Sequence, residues 1–217
     1  MSVSTENFLK GIYQLKNDYG EKANSSNLAK RLYISRAAIT DMARKLAEKE
    51  FIIYEKYREI SLTDKGRKLA LSVIRRHRLW ETFLARVLNL TPYEIHQEAE
   101  MLEHQTSENL ISKIDEFLGY PQFDPHGDPI PDPTGRLPKL NLMLLIHAKP
   151  GRYTVSRIQN LSPEIALFFK TNHILIKQII TVKPPNPTGK GVIIEIENST
   201  LHIDDEIAKC IYVNELT

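Results

Sequence analysis

The sequence is poor in cysteine and has no long apolar stretch. Its 217 residues include one cysteine and one tryptophan, and no uninterrupted run approaches the ~20 apolar residues of a membrane span. A lone Cys210 excludes an intrachain disulfide framework and any zinc ribbon built on paired thiolates. A bound metal would therefore rest on nitrogen and oxygen ligands. The opening MSVSTENFLKGIYQ lacks a basic leader followed by an apolar core, so a cytoplasmic location with no membrane partner is expected. With 41% hydrophobic and 26% charged residues, the composition is that of a globular chain able to bury a core. Its length predicts more than one domain, since domains typically hold ~100 to 150 residues.

Net charge is only +2, but it is unevenly spread. Residues 1–65 carry 12 Lys+Arg against 9 Asp+Glu, whereas residues 66–140 carry 9 against 11. The basic excess lies at the front, and a dimer would double it on one surface, as suits a polyanionic partner.

Phe8, Leu9, Ile12 and Leu15 recur on one helical face, with Thr5 available as a cap and Gly20 as a stop. Asn24-Ser25-Ser26 then opens a two-turn helix with Leu28, Ala29 and Leu32 inward. After the three residues YIS, Ser35 caps a third helix that buries Ile39, Met42, Ala43 and Leu46. Two helices at that spacing read as a helix-turn-helix. FIIYEKYREISLT follows as two short strands around a charged Lys56-Tyr57-Arg58 turn, a wing. The outer face of the third helix presents Ser35, Arg36, Ala37, Thr40, Asp41 and Arg44, which offer donors and acceptors to base edges, while Lys56 and Arg58 can reach phosphates. Acidic Asp41 is expected to face a base, or to position Arg44 or Arg36.

A long apolar-periodic helix runs from Asp64 to Leu90. Thr91-Pro92-Tyr93-Glu94 supplies a capping box for a second helix, to about Gln105, and Ser107 caps a third ending near Gly119. Their apolar surface exceeds what a 65-residue module covers, so a dimer interface is expected. PQFDPHGDPIPDPTGRLP, with six prolines and two glycines, reads as a semi-rigid connector at a domain boundary. Beyond it RYTVSRI, HILIKQIITV, GVIIEIE and KCIYVNEL alternate as strands, with a helical patch PEIALFF, so a small all-β barrel is expected.

His96, Glu100, Glu103 and His104 stand at i, i+4, i+7 and i+8, hence on one helical face, and His77 and Glu81 repeat the i, i+4 spacing on the preceding helix. Imidazole and carboxylate without sulfur suit Mn²⁺, Fe²⁺, Co²⁺, Ni²⁺ or Zn²⁺, and the carboxylate richness favours the harder ions. Three other readings compete: solvated intrahelical ion pairs, a carboxylate/histidine metalloenzyme, and a winged-helix regulator of an organic ligand with a structural His/Glu cluster. The enzyme reading is weakened by a single Glu-x-x-Glu-His triplet and the lack of HExxH.

Several motifs together resemble the diphtheria toxin repressor family, including its manganese-responsive members, over nearly the whole chain. TENFLKGIY, SRAAITDMARKLAEKEFI and YEKYREISLTDKGRKLA are similar to its first helix, recognition helix and wing; RRHRLWE and HQEAEMLEH to its metal-binding stretches; PHGDPIP to its linker; HIDDEIAKCIYVNEL to the end of its SH3-like domain. The resemblance implies an α+β chain with a winged helix-turn-helix at 1–64, a helical metal-binding and dimerisation domain at 65–120, a linker at 121–140 and an SH3-like domain at 141–217. It implies a homodimeric, non-enzymatic repressor of metal-uptake genes that binds a double-stranded operator when Mn²⁺ or Fe²⁺ is bound, with Zn²⁺, Co²⁺ or Ni²⁺ able to substitute in vitro. It implies a primary site of Asn7, Glu100, Glu103 and His104, and an ancillary site of His77, Glu81 and His96 joined by Glu164. Glu100 stands where iron-responsive members carry cysteine, which favours Mn²⁺. Asn7 replaces the family's usual Met or Asp with a weaker neutral oxygen ligand. Lys10 stands where some manganese-type members place a carboxylate, so their two-metal cluster is not expected.

Overall fold

The computed structural model describes residues 2–216 apart from 57, 89, 140, 160–162, 185–188 and 198. Tyr57 of the expected wing turn thus lies outside the described residues. The chain forms two units, Met1–Gln122 with Ile130–Pro138, and Phe123–Pro129 with Lys139–Thr217.

In the first unit α1 (Val3–Asn17) starts at Ser2, whose hydroxyl accepts from the Thr5 N–H, so the cap lies three residues before the expected Thr5. Its apolar face, Phe8, Leu9, Ile12 and Leu15, is buried as the periodicity predicts. Asn24 caps α2 (Ser25–Leu32) by accepting from the Ser26 and Asn27 N–H groups. The helix stops because Tyr33 turns left-handed at φ 54°. Ser35 then caps α3 (Arg36–Glu48), completing the helix-turn-helix. Leu28 and Ile39 are fully buried with Phe8, Leu9 and Ile12 in one core, in which each such side chain contributes roughly 1.5–3 kcal/mol.

The wing strands are short: β1 (Ile52–Ile53) pairs antiparallel with β2 (Ser61–Leu62). α4 (Asp64–Phe83) follows at once. Its first turn approaches the wing so closely that a Cβ on Gly66 would lie 1.9 Å from the Phe51 carbonyl oxygen. The expected helix to Leu90 ends earlier, at a π-helical turn over Leu84–Leu88. The Thr91/Glu94 capping box opens α5 (Pro92–Leu102) and Ser107 caps α6 (Glu108–Phe117). Val87, Leu88, Met101, Leu110 and Phe117 remain exposed on these helices.

The proline-rich segment is divided between the two units. Asp124 Oδ1 accepts from the N–H groups of His126 and Asp128, and Asp132 Oδ1 from those of Thr134 and Arg136, so two aspartates fold the segment locally. Residues 123–129 belong to the second unit, where the Ile158 N–H donates to the His126 carbonyl. Residues 130–138 belong to the first, with Ile130 buried against Leu79, Ile111 and Ile114.

The second unit is an antiparallel six-stranded sheet of order β3-β8-β4-β5-β6-β7: β3 (Met143–Leu144), β4 (Gly151–Ile158), β5 (Ile179–Val182), β6 (Val192–Ile196), β7 (Ser199–Ile203) and β8 (Ile211–Glu215). α7 (Pro163–Thr171) and α8 (Asp205–Ala208) complete it. The expected strand 173–182 is shortened to its last four residues, because His173 and Lys177 take left-handed backbone and turn the chain. No helix is long and apolar enough to cross a membrane, among the described residues.

Candidate metal centre

α4 carries Arg75, Arg76, His77 and Arg78 through the interior in succession, all nearly buried. Buried charge needs partners, and each finds an acid on another element: Arg75 pairs with Asp115 at 2.7 Å, Arg78 with Asp18 at 3.0 Å, and Arg76 with Glu6 and Glu108. His77 meets Glu81 at 3.1 Å through Nε2 and Glu103 at 2.6 Å through Nδ1.

Two groups of ligand atoms converge to within 4.8 Å: His77, Glu81 and His96; and His77, Glu100 and Glu103. The expected ancillary trio therefore assembles, with His96 Nδ1 at 3.3 Å from Glu81 Oε1. His77 stands between the two groups, with Nε2 toward Glu81 and Nδ1 toward Glu103. Of the expected primary set, Glu103 Oε1 lies 3.1 Å from His104 Nε2. Glu100 and Glu103 are bridged by the Lys10 ammonium at 2.8 and 2.7 Å. Glu164 lies exposed on α7, in the second unit.

These side chains are not the solvated ion pairs of the simplest sequence reading. Glu103 is fully buried and Lys10, His77, Glu81 and His104 are close to it; only Glu100 and His96 reach solvent. Burial alone would raise the Glu103 carboxyl, but His104, His77 and the Lys10 ammonium hold it far below the usual carboxylate range. Burial, and then Lys10, push the His77 imidazole down, yet Glu81 and Glu103 outweigh them and carry it up to about 9. At neutral pH His77 is thus cationic and donates to both carboxylates. The 3.3 Å approach of Lys10 Nζ to His77 Nδ1 is then two cations held by the same carboxylate. Glu103, and then Glu6, raise His104.

The donor set fits a divalent cation. Asn7 Oδ1 and His104 Nε2 are buried without a hydrogen-bond partner among the described residues. Such orphaned acceptors are rare unless a ligand completes them. His104 Nε2 faces Glu103 Oε1 outside hydrogen-bond alignment.

Sequence reasoning missed Glu6, Lys10 and Arg76 as partners of this cluster. The available signal was the run Arg75-Arg76-His77-Arg78 within an otherwise apolar helix, which requires acids from elsewhere.

The expected DNA face lies on the surface: Arg36, Ala37, Asp41 and Arg44 are exposed. Ser35 is engaged as the cap and Thr40 donates to the Arg36 carbonyl. Asp41 positions neither Arg36 nor Arg44; it pairs with Lys45 at 2.7 Å, one helical turn on. Arg58 pairs with Glu55 at 3.0 Å. Lys56 is exposed.

Three family models match: the iron-dependent repressor N-terminal DNA-binding domain over 1–60, its metal-binding and dimerisation domain over 63–132, and a FeoA domain over 143–215. The HTH-type transcriptional regulator MntR of Bacillus subtilis (strain 168) is 36% identical over 121 residues, 56% of this chain and 84% of that protein. MntR of Listeria monocytogenes serovar 1/2a is 34% identical over 125 residues, 58% and 85% of the two chains. Among solved structures, a manganese-dependent transcriptional repressor in complex with manganese aligns with TM-score 0.88 and 34% identity over 98% of this chain and 100% of that one. The manganese regulator SloR aligns with TM-score 0.82 and 31% identity over the whole of both chains. ScaR with bound Zn²⁺ aligns with TM-score 0.82 and 30% identity over 98% and 99%. The relatives named here are transcriptional regulators, not enzymes, and the chain belongs to the diphtheria toxin repressor family, of the manganese-responsive type, with a FeoA-like C-terminal domain.

Proposed function

We propose that the chain is a metal-dependent repressor that binds operator DNA as a homodimer when Mn²⁺ is present, with Fe²⁺ as the competing activator, and so controls metal-ion uptake genes. The observation that carries this reading is one buried cluster drawn from two modules. α1, which packs on α2 of the helix-turn-helix, contributes Glu6 and Lys10, while α4, α5 and the turn after α5 contribute His77, Glu103 and His104, with Glu100 at the solvent edge.

Asn7, Glu100, Glu103 and His104 would hold the primary cation, and His77, Glu81 and His96 the ancillary one. When bound, the cation supplies positive charge beside the carboxylates and an attachment for the orphaned Asn7 and His104 atoms. Asn7 then fixes α1, and with it α3, relative to the dimerisation helices. The two recognition helices of a dimer must meet successive major grooves about 34 Å apart, so a small change at this joint decides binding. A bias of a few kcal/mol between the two arrangements is enough. In this reading Arg36, Ala37, Thr40, Asp41 and Arg44, with Ser35 at the helix start, face the bases and nearby phosphates, and Lys56 and Arg58 face the backbone.

The reading is tested by selecting bound duplexes from a random DNA pool with Mn²⁺ and with chelator. A two-fold symmetric sequence enriched only with Mn²⁺ is expected; equal enrichment under both conditions refutes it.

A further inference from the structure

Glu6 is the acid that reaches the Nδ1 side of His104, opposite Glu103. Its Oε2 lies 2.6 Å from His104 Nδ1 and 3.4 Å from Arg76 Nη2, and its side chain is 13% exposed. The same guanidinium donates from Nε to the Glu103 backbone carbonyl at 2.6 Å and from Nη1 to Glu108 Oε1 at 3.1 Å. Arg76 therefore ties α1, the end of α5 and the start of α6 to one point on α4. A neutral imidazole has one N–H and one lone pair, and the hydrogen bond made by one nitrogen decides which is which. A carboxylate 2.6 Å from Nδ1 keeps the proton there, which leaves Nε2, 3.1 Å from Glu103 Oε1, as the nitrogen that gives its lone pair to a cation. Nε2 is buried and has no hydrogen-bond partner among the described residues.

We propose that Glu6 is a positioning residue for the metal centre: held by Arg76, it accepts from His104 Nδ1–H, fixes the ring with Nε2 facing the ligand cluster, and so gives α1 a second hold on that cluster beside Asn7. This rests on the reading of His104 as a metal ligand. Carboxylates behind metal-bound histidines raise the basicity of the ligand and lock its orientation, and their loss typically costs 10–100-fold in metal affinity. Glu6 differs from Asn7 in acting through His104, not on the cation.

The test compares the full chain with its Glu6→Gln and Glu6→Ala variants in three measurements. Mn²⁺ affinity is read by titration with electron paramagnetic resonance, ring protonation by proton–nitrogen NMR of the Zn²⁺-loaded protein, and folding by thermal melting with chelator. The expected result is a slowly exchanging, downfield His104 Nδ1–H in the unaltered chain. That proton should move upfield in Glu6→Gln and exchange away in Glu6→Ala. Mn²⁺ affinity should fall about 10–100-fold in Glu6→Ala and less in Glu6→Gln, whose amide oxygen still accepts. Glu6→Gln keeps the side-chain volume, so it reads the site even if Glu6→Ala loosens α1. Variants that melt lower but keep both the Nδ1–H signal and the Mn²⁺ affinity would show Glu6 to be a packing ion pair and overturn the proposal. Failure of the unaltered chain to bind Mn²⁺ would instead overturn the reading of the cluster, and this inference with it.

Discussion

Replacing Lys10 by methionine removes a cation on which two carboxylates depend. The ammonium is 6% exposed and contacts Glu100 at 2.8 Å, both oxygens of fully buried Glu103 at 2.7 and 2.9 Å, and the edge of His77. Methionine keeps the length of the stem but not the charge, so buried Glu103 keeps the His77 imidazolium but loses its second cation, and Glu100 loses the ammonium. Breaking a buried ion pair by removing one partner costs about 3–5 kcal/mol. For a unit of this size 1 kcal/mol moves the melting temperature by roughly 3–4 °C, so a fall on the order of 10–15 °C is expected for the first unit. The assay is scanning calorimetry of the full chain with chelator, following the transition of the helical unit. The deficit should narrow with saturating Mn²⁺, since the variant lacks the ammonium that competes with a cation for Glu100 and Glu103 and so gains more from binding by mass action. If Lys10→Met and the unaltered chain melt within 2–3 °C of each other with chelator, on the scale of less than about 1 kcal/mol, the account of the Lys10 contacts is wrong.

Five further outcomes are expected. His77, raised from 6.5 to about 9 by its carboxylates against burial, contributes stability that is fully present below its unfolded value and is lost as pH rises through about 9, on the order of 3 kcal/mol in all; the metal-free helical unit should melt progressively lower from pH 7 to 10, and a flat profile would contradict the charged imidazole. Glu103→Gln should reduce Mn²⁺ affinity by on the order of 100-fold, since a carboxylate ligand becomes a neutral amide, as read by Mn²⁺ titration. Asn7→Asp should act in the opposite direction, tightening Mn²⁺ on the order of tenfold by adding one ligand charge; no gain would remove Asn7 from the ligand set. Lys56→Ala should lower the slope of log affinity against log salt by about 0.9 per lost phosphate contact, whereas Arg44→Ala, if it meets a base edge, should cost about 1–3 kcal/mol at one operator position.

The helical half was legible because its signals are local. Ser35, Thr91 with Glu94 and Ser107 cap the helices they were expected to cap, and apolar spacing alone placed Phe8, Leu9, Ile12 and Leu15 inside. The β-rich unit was less so. Alternation in 173–182 reads as one strand, but Ile174 is buried from a turn, and the left-handed His173 and Lys177 cannot be seen in a hydropathy pattern. β7, STLHI, was overlooked because its polar face leaves too few apolar positions to alternate. At the metal centre, the spacing of His77/Glu81 and of Glu100/Glu103/His104 identified ligand-type residues on shared faces. It could not show that His77 serves both groups, nor that Lys10 and Glu6, some 90 residues earlier in the chain, would close the cluster. Asp41 shows the same limit in reverse: the spacing offers it Arg44 or Arg36, but on this exposed face it pairs with Lys45, one turn on.

The central claim is that this cluster couples metal to DNA. Its most direct test is fluorescence anisotropy of the selected operator duplex, titrated with the full chain under anaerobic conditions at fixed salt, with chelator, Mn²⁺ or Fe²⁺. The account predicts operator affinity higher with Mn²⁺ than with chelator by 100-fold or so, a coupling of about 3 kcal/mol, and largely lost in Glu103→Gln. Equal affinity with chelator and with saturating Mn²⁺, in a chain that binds the metal, would contradict it.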